Sequence, residues 1–344
     1  MTIVVTGGAG FIGANFILDW LALNDEAVVN IDKLTYAGNL ENLASIGVDK
    51  RYTFVHGDIS DRQLLDQVLT THRPRAVLNF AAESHVDRSI AGPNPFIETN
   101  ILGTFNLLEA CLSYARTLGV ADSDRFRLLQ VSTDEVFGSL GADDHPFSET
   151  TPYAPNSPYS ASKAAADHLV RSYFHTFGLP TLTTNCSNNY GPFQNPEKLI
   201  PLVIDRALRG QIIPIFGDGQ NVRDWLYVSD HCSAIRTVLE RARPGDTFAI
   251  GGNSEMRNVD IVAAVCQLLD TLVPRGAPHA DLIAFVADRA GHDRRYGINS
   301  TKIETELGWR PQEDFASGIS RTVQWYLDNR GWVSRCLERQ HATS

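Results

Sequence analysis

Tyr159 and Lys163 are the residues of this sequence whose spacing most directly suggests chemistry. They lie four positions apart at the start of a predicted helix, just after Pro158, so their side chains share one helical face. An ammonium beside a phenol favours the phenolate and lowers the pKa of the tyrosine from its ordinary value of about 10. The pair therefore predicts a general base that is usable near neutral pH.

A glycine-rich turn follows the first apolar run of the chain, with the spacing Gly7-x-x-Gly10-x-x-Gly13. Glycine permits a tight turn and lets backbone N–H groups approach a pyrophosphate, and the helix that begins there adds the positive end of its dipole. The turn follows a predicted strand, opens a helix and precedes an acid, Asp32, after about 20 residues. This context predicts a dinucleotide-binding loop, and the alternative is a glycine turn that binds no ligand.

Asp32 decides which nicotinamide cofactor is predicted. A carboxylate at the end of the second strand accepts hydrogen bonds from ribose hydroxyls and repels the 2′-phosphate of NADP. Lys33 favours NADP, but the acid is the stronger sign, so the prediction is NAD. Unless they are simple loops, the next two strand ends should also contact the cofactor, with Asp58 and Ile59 flanking the adenine and Ala81, Ala82 and Glu83 lining the pyrophosphate and ribose.

Strands and helices must alternate to position these groups. Short apolar runs predict strands at 2–6, 27–31, 52–55, 76–80, 126–131 and 180–185, and helical spacing predicts helices at 11–23, 61–70, 98–118 and 160–177. Such alternation indicates βαβ units and a parallel sheet that is covered on both faces.

The residue composition of the sequence changes after residue 185. Segment 187–198 is rich in Asn, Pro and Gly and is predicted to be a loop, and short elements with glycine turns follow. We predict an α/β fold with a Rossmann-type doubly wound parallel sheet in an NAD-binding domain, residues 1–185 with return segments near 225–250. A smaller C-terminal α/β substrate-binding lobe, mainly residues 186–344, should pack beside the carboxyl ends of the strands. The tail after about Gln340 is expected to fray.

Composition argues against several classes of protein. Thirty Lys and Arg against forty Asp and Glu give a net charge of -10, which is unlike a nucleic-acid-binding protein. No segment approaches the ~18 consecutive apolar residues that span a bilayer, and the first residues do not resemble a signal peptide. The five cysteines form no CxxC pair. They predict reduced thiols in a cytoplasmic protein, with no disulfide framework and no metal site.

Several further segments carry a resemblance to a known family. The fifth predicted strand runs into VSTDEVFG at 131–138, and the supporting stretches are DKLTYAGN at 32–39, AESHVD at 82–87, SPYSASK at 157–163, TNCSNNYGP at 184–192, RDWLYV at 223–228 and GHDRRY at 291–296. Over almost its whole length the chain resembles the extended short-chain dehydrogenases/reductases, and among them the dTDP-glucose 4,6-dehydratases. Phe137 departs from the tyrosine expected in many relatives, which removes a hydroxyl near the site.

The resemblance implies a lyase that uses a tightly bound NAD, recycled in each turnover, on a nucleotide sugar. Tyr159 would be the base on the 4-hydroxyl, Lys163 would hold the nicotinamide ribose, and Thr133 would hydrogen-bond the 4-oxygen. Oxidation at C4 acidifies the C5 proton, which Glu135 would remove while Asp134 protonates the departing C6 hydroxyl. NAD would return its hydride to C6, and Glu135 would reprotonate C5.

The adjacency of Asp134 and Glu135 raises a geometric question. Consecutive residues of a strand point to opposite faces, whereas in a turn or at a helix start both carboxyls can reach one pocket. Burial and mutual repulsion should then raise the pKa of one carboxyl and keep it protonated as the acid. The alternative is a solvated pair of acids at a strand end or helix cap.

The resemblance also implies binding residues. For the cofactor they are Gly7, Gly10, Phe11, Ile12, Gly13, Asp32, Lys33, Thr35, Asp58, Ile59, Ala81, Ala82, Glu83, Thr99, Ser132, Tyr159, Lys163 and Asn189. For the substrate they are Ser84, Thr133, Glu135, Asn188, Lys198, Leu199, Pro214, Ile215, Phe216, Arg223, Asn258, Asp288 and His292. Arg223 is the best candidate for the diphosphate, since a guanidinium grips phosphate with two hydrogen bonds. Without the resemblance, 214–216 would be interpreted as core, Lys198 and His292 as surface residues, and the cluster of Arg289, Arg294 and Arg295 as a solvated face.

Some alternatives stay open from the sequence. A nucleotide-sugar 4-epimerase would share the glycine loop, Tyr159 and Lys163, but would leave Asp134 and Glu135 unexplained. A non-catalytic dinucleotide-binding sensor would have no need of Thr133, Tyr159 and Lys163. Thymidine as the nucleotide comes from the resemblance alone, and uridine or cytidine remain possible. Helices 98–118 and 160–177 carry surplus apolar surface that relatives pair across a two-fold axis, so a homodimer is expected.

Overall fold

The computed structural model describes residues 1–343, with side chains described up to residue 339. The last helix continues to Thr343, so the fraying expected after about Gln340 is not seen in the described backbone. The strands are β1 Thr2–Thr6, β2 Ala27–Asp32, β3 Tyr52–His56, β4 Ala76–Asn79, β5 Arg127–Thr133, β6 Thr181–Cys186, β7 Asn188–Tyr190, β8 Ile213–Phe216, β9 Val222–Tyr227, β10 Thr247–Ile250, β11 Glu255–Arg257 and β12 Ile283–Val286.

Helices alternate with these strands in the first half of the chain, and further helices follow in the second half. They are α1 Phe11–Leu23, α2 Arg62–His72, α3 Val86–Ala91, α4 Asn94–Phe96, α5 Thr104–Ala115, α6 Val120–Ser123, α7 Pro158–Phe177, α8 Leu199–Leu208, α9 Val228–Arg241, α10 Asn258–Leu272, α11 Thr301–Leu307, α12 Phe315–Asp328 and α13 Arg330–Thr343. Segments of 3₁₀ helix cover Leu40–Ile46, Asp134–Phe137 and His279–Leu282, and a π-helix covers Ile97–Gly103.

Seven strands form one parallel sheet in the order β10-β6-β5-β4-β1-β2-β3, which we call the large lobe together with its helices. Side chains alternate between its faces. In β1, Ile3 and Val5 join a core cluster with Phe16 of α1, whereas Val4 joins a second cluster with Leu107 of α5. The order reverses beside β1, as in doubly wound sheets, where ligands bind at the carboxyl ends of the strands. The predicted Rossmann-type sheet is confirmed.

A small lobe is built from two further sheets, β11-β9-β7 and β12-β8, and helices α8, α10 and α12. Its core includes Ile200, Ile261 and Ile319, one from each helix. The smaller α/β lobe is therefore present, while the boundary at residue 185 stays a prediction. Strand β7 lies in the segment predicted to be a loop, and that prediction was wrong because Asn188 pairs in parallel with Trp225 of β9, far along the chain.

The predicted helix 98–118 is divided in the structure. It begins as the π-helix Ile97–Gly103 and continues as α5 only to Ala115. The wide turn contains the buried Asn100, whose amide donates to the Glu83 carbonyl at 3.0 Å and to Ser162 Oγ at 2.8 Å. Insertions of this kind are frequent at functional sites. Here Asn100 ties the loop after β4 to α7.

Within residues 1–343, none of the helices combines the length and apolar character that crossing a lipid bilayer requires.

Candidate active site

One cleft of about 760 Å³ opens at the carboxyl ends of the parallel strands. All eighteen residues predicted to bind the cofactor line it, as do all five predicted catalytic residues. Of the predicted substrate residues it also includes Ser84, Asn188 and Lys198. The structure thus brings together segments that are distant in the sequence.

The glycine loop leaves no room for side chains. Gly7 has φ +70, and a Cβ there would lie 2.6 Å from the backbone nitrogen of Ala81. A Cβ on Gly13 would lie 2.5 Å from the Gly7 carbonyl oxygen. Helix α1 starts after Gly10 with no side chain capping it, so its first N–H groups meet the cleft at Phe11 and Ile12. This cradle fits the pyrophosphate of a dinucleotide.

Asp32 is fixed by the backbone around it. Its Oδ2 accepts from the Ala9 N–H at 2.9 Å, and its Oδ1 accepts from the Leu34 N–H at 2.8 Å. Burial raises the pKa of Asp32, and these hydrogen bonds act in the opposite direction. The neighbouring Lys33 pairs with Asp58 at 2.7 Å. The cation that favoured NADP is therefore already held by a carboxylate, and this arrangement supports the prediction of NAD.

The adjacent acids belong to a turn. Asp134–Phe137 forms a 3₁₀ helix directly after β5, and the side chain of Thr133 caps it by accepting from the Glu135 N–H. In this conformation both Asp134 and Glu135 line the cleft. Of the two geometries considered from the sequence, the turn is the one present. Phe137, the position at which many relatives were expected to have tyrosine, packs its ring against Phe147, with the ring centroids 5.1 Å apart.

The two carboxyls are in different electrostatic surroundings. Burial raises the pKa of Asp134 well above its ordinary range, and the charges of Glu135 and Asp224 raise it further. No described residue donates to Asp134 Oδ2. Burial also raises the pKa of Glu135, but three cations oppose this effect: Arg223, Lys198 and Arg289. The arrangement favours Asp134 as the protonated acid and Glu135 as the carboxylate.

The relationship between Tyr159 and Lys163 differs from the prediction. Burial raises the pKa of Tyr159 far above its ordinary value, and the charge of Glu135 adds to the effect. The net direction is therefore opposite to the lowering that the pair was expected to produce. The ammonium of Lys163 donates to the Val131 carbonyl at 2.8 Å. The shared helical face is present, but a backbone acceptor on β5 holds the ammonium.

Eight predicted substrate residues do not line the cleft: Leu199, Pro214, Ile215, Phe216, Arg223, Asn258, Asp288 and His292. Strand alternation explains part of this set. Ile215 is 2% exposed in the small-lobe core, so only its neighbours Pro214 and Phe216 have side chains on the accessible face of β8. Leu199 also packs against that core. His292 and Asp288 contact each other, with Nδ1 and Oδ1 2.6 Å apart.

Arg223 is buried beside the acids. Its Nη1 donates to the Val222 carbonyl at 2.7 Å, its Nη2 donates to the Asp293 carbonyl at 2.9 Å, and the guanidinium lies 4.2 Å from the centre of the Tyr296 ring. These bonds use two of the five N–H groups of the guanidinium, so donors remain for a diphosphate. Of the arginine cluster, Arg294 forms an exposed ion pair with Asp218, whereas the side chain of Arg295 is 17% exposed and pairs with Glu255. The interpretation of the cluster as a solvated face stays a prediction.

Helix α13 supplies residues that the sequence analysis missed. Trp332, Cys336 and Arg339 line the cleft beside the loop after β2. Trp332 Nε1 donates to Asn42 Oδ1 at 2.9 Å, and Arg339 Nη1 donates to Asn39 Oδ1 at 2.9 Å. These contacts span almost the whole chain, and no local motif marks them. The sequence feature that could have indicated these contacts is the pair of asparagines, Asn39 and Asn42, in the loop that follows Asp32.

The sequence profile described as GDP-mannose 4,6 dehydratase matches residues 4–322. A dTDP-glucose 4,6-dehydratase of Xanthomonas campestris pv. campestris (strain B100) is 59% identical over 339 residues, which are 98% of this chain and 96% of that protein. The chain belongs to the dTDP-glucose 4,6-dehydratase family. The resemblance drawn from the motifs is confirmed.

Solved structures place the family within a wider fold. A dTDP-glucose 4,6-dehydratase of Streptomyces venezuelae, with NAD and TYD bound, is 46% identical with a TM-score of 0.89, and the match covers 98% of this chain and 100% of that one. A UDP-glucose 4-epimerase of Thermus thermophilus in complex with NAD is 30% identical with a TM-score of 0.84, covering 96% and 100%. Because the 4,6-dehydratase family shares its scaffold with an epimerase, the side chains in the cleft must separate the two activities.

Proposed function

We propose that this chain is an NAD-dependent dTDP-glucose 4,6-dehydratase. It converts dTDP-D-glucose to dTDP-4-keto-6-deoxy-D-glucose and water, a hydro-lyase reaction of deoxysugar biosynthesis. The observation that carries the proposal is the placement of Asp134 and Glu135 in one cleft with Tyr159. Family membership and the NAD bound in the Streptomyces venezuelae relative support it.

The first step is oxidation at C4 of the sugar. Tyr159 takes the proton of the 4-hydroxyl, and Thr133, which lines the same cleft, holds the oxygen. Lys163 supplies the positive charge that the phenolate form needs. NAD bound in the glycine cradle would supply the hydride acceptor for C4 and the hydride donor for C6. Gly7, Gly13 and the start of α1 would hold its pyrophosphate, and Asp32 would hold the adenosine ribose.

Elimination of water follows from the acidity that the 4-keto group gives to C5. Glu135 takes the C5 proton, the bond from C6 to its hydroxyl breaks, and Asp134 donates the proton that turns the departing group into water. Glu135 then returns its proton to C5. The raised pKa of Asp134 suits the acid, and the cations around Glu135 suit the base.

An epimerase would share the oxidation at C4 but would return the hydride to the opposite face of C4, with no elimination. It needs a hydroxyl, a base and a nicotinamide, and it has no use for two adjacent carboxyls in the cleft whose desolvation is costly. Turnover of dTDP-, UDP- and CDP-glucose, followed by mass analysis of each product, separates the possibilities. We expect a product one water lighter from dTDP-glucose. A product of unchanged mass would establish epimerisation, and no turnover by protein with bound NAD would favour the sensor.

We also propose that the protein is a cytoplasmic homodimer. Ile97, Leu102, Phe105 and Phe177 of the π-helix, α5 and α7 are each more than 40% exposed, which is unusual for large apolar side chains gathered on neighbouring helices. Packing against a second copy would bury them, and sedimentation velocity would detect the dimer. The five free cysteines agree with a reducing compartment.

A further inference from the structure

A buried carboxylate lies behind the catalytic strand end. Asp167 is on α7, four residues after Lys163, and it is 4% exposed. Its Oδ2 accepts from Ser132 Oγ at 2.6 Å, from the Tyr153 hydroxyl at 3.1 Å and from Asn185 Nδ2 at 3.2 Å. Burying a carboxylate is costly unless charges and donors compensate. Asp167 is thus a feature that the steps above leave unexplained.

Lys163 lies one helical turn before Asp167, so the two side chains share one face of α7. Lys163 is also 4% exposed, and burial lowers its pKa. The negative charge of Asp167 is the largest influence that raises this pKa, and Cys186 of β6 is the second. Burial raises the pKa of the Cys186 thiol, so this group is neutral at physiological pH. Asp167 therefore supplies the counter-charge.

The hydrogen bonds of Asp167 also reach the catalytic turn. Ser132 precedes Thr133 at the end of β5, and Asn185 of β6 donates both to Asp167 and to the Thr133 carbonyl, the latter at 3.2 Å. One carboxylate thus joins α7, β5 and β6 at the point from which Asp134 and Glu135 project.

We propose that Asp167 is a positioning residue, which holds Lys163 as an ammonium and, through Ser132 and Asn185, fixes the end of β5 beneath the catalytic acids. The catalytic part of this inference rests on the proposed function, whereas the electrostatic part concerns the folded chain alone. An asparagine could accept the same three hydrogen bonds, but it would carry no charge to balance the ammonium.

The direction of the effect follows from the charges. Burial raises the pKa of Asp167, whereas the charge of Lys163 and the hydrogen bonds from Ser132, Tyr153 and Asn185 oppose that rise. We infer that Asp167 is an anion in the alkaline range where Lys163 loses its proton. The other titratable groups that face the pair are Tyr153, Tyr159 and Cys186, and burial raises the pKa of each. Removing the charge of Asp167 should lower the pKa of Lys163, so the ammonium is lost at a lower pH.

The direct test is a titration of Lys163 by NMR in protein labelled with [ε-¹³C]lysine. The chain has only five lysines, and Lys163→Arg assigns the signal. In Asp167→Asn we expect the pKa of Lys163 to fall by about one unit, a typical effect of losing an opposite charge nearby. Tyr153→Phe removes one hydrogen bond to Asp167 without changing its charge, and should leave the pKa of Lys163 within a few tenths of the parent value.

Turnover provides the second readout. The alkaline limb of kcat against pH for dTDP-glucose should move to lower pH by the same amount in Asp167→Asn and should not move in Tyr153→Phe. If Asp167→Asn does not fold, Asp167→Ser removes the same charge and carries the same expectation. An unchanged pKa of Lys163 in the charge-free variant overturns the inference. A parent protein that does not dehydrate dTDP-glucose overturns the proposed function instead, and the NMR titration still decides the role of Asp167.

Discussion

The hydroxyl of Thr133 donates to Asp134 Oδ1 at 3.3 Å and, by accepting from the Glu135 N–H, caps the turn that these two acids begin. Burial raises the pKa of Tyr159, and the same hydroxyl opposes that rise. A single hydroxyl therefore acts on both the residue proposed as the base for oxidation at C4 and the residues proposed to eliminate water. The two halves of the reaction can be separated only by changing groups on either side of Thr133.

Replacement of Tyr159 by phenylalanine tests the oxidation half. The ring keeps its packing against Phe96, so the fold and the binding of nucleotide sugar should persist. Loss of a general base typically costs ~10²–10⁴ in rate. We expect kcat to fall by that amount while calorimetry shows unchanged substrate affinity. Tyr173→Phe, on the same helix but outside the cleft, is the control, and near-parental turnover by Tyr159→Phe would reject Tyr159 as the base.

Glu135→Gln and Asp134→Asn form a matched pair for the elimination half. Both amides are nearly isosteric with the parent side chains. Glu135→Gln lacks the base for C5, so in heavy water it should incorporate deuterium at C5 far more slowly than the parent and yield little dehydrated sugar.

Asp134→Asn keeps Glu135, so exchange at C5 should persist while loss of the C6 hydroxyl slows. Mass analysis of the sugar in single turnovers distinguishes these outcomes. Dehydrated sugar carrying C5 deuterium, formed by Glu135→Gln as fast as by the parent, would show that the assignment is wrong. Full turnover by both variants would favour epimerisation.

The pH profile should report the surroundings of Glu135. The base must be ionised, so kcat falls as pH decreases through its pKa, which burial raises above the ordinary range of glutamate. The charge of Lys198 opposes that shift. In Lys198→Met the pKa of Glu135 should rise further, moving the acid limb of kcat to higher pH by about 0.5 to 1 unit. Lys50→Met, at an exposed position, should leave the limb in place. A limb that moves to lower pH in Lys198→Met would contradict the assignment.

Asp32→Ala should weaken the binding of NAD and relax discrimination against NADP. The substitution removes both the ribose acceptor and the charge that repels a 2′-phosphate. Losing hydrogen bonds to a charged group costs about 1.5–3 kcal/mol, roughly 10- to 100-fold in affinity. Competition between NAD and NADP measures the effect. Asp25→Ala, at the opposite end of β2, controls for the loss of one charge, and equal affinities in the parent and Asp32→Ala would place the ribose acceptor elsewhere.

The sequence predicted the large lobe well because its signals are local. Buried parallel strands read as apolar runs, and glycine spacing with an acid at the next strand end reflects contacts within one βαβ unit. Thus Gly7, Gly13 and Asp32 were predicted from residue type, spacing and the strand–turn–helix context, and the turn after β5 was one of two stated possibilities.

Long-range contacts account for what the sequence did not predict. The ammonium of Lys163 binds a carbonyl 32 residues earlier in the chain, which helical spacing cannot foresee. Strand β7 exists because β9 pairs with it, and the side chain of Ile215 faces the core because β8 pairs with β12. Asp167 was detectable in principle, since it lies one helical turn after Lys163, but its partners come from β5 and β6.

The contact between Trp332 and Asn42 has a consequence for biosynthesis of the protein. The two residues are 290 positions apart, yet they meet at the wall of the cofactor cleft. The glycine cradle and Asp32 leave the ribosome early and can fold with the first strands. The wall beside Asn42 remains incomplete until residue 332 has emerged. A nascent chain therefore carries an unfinished cleft through most of its synthesis, and firm retention of a dinucleotide becomes a property of the nearly complete polypeptide.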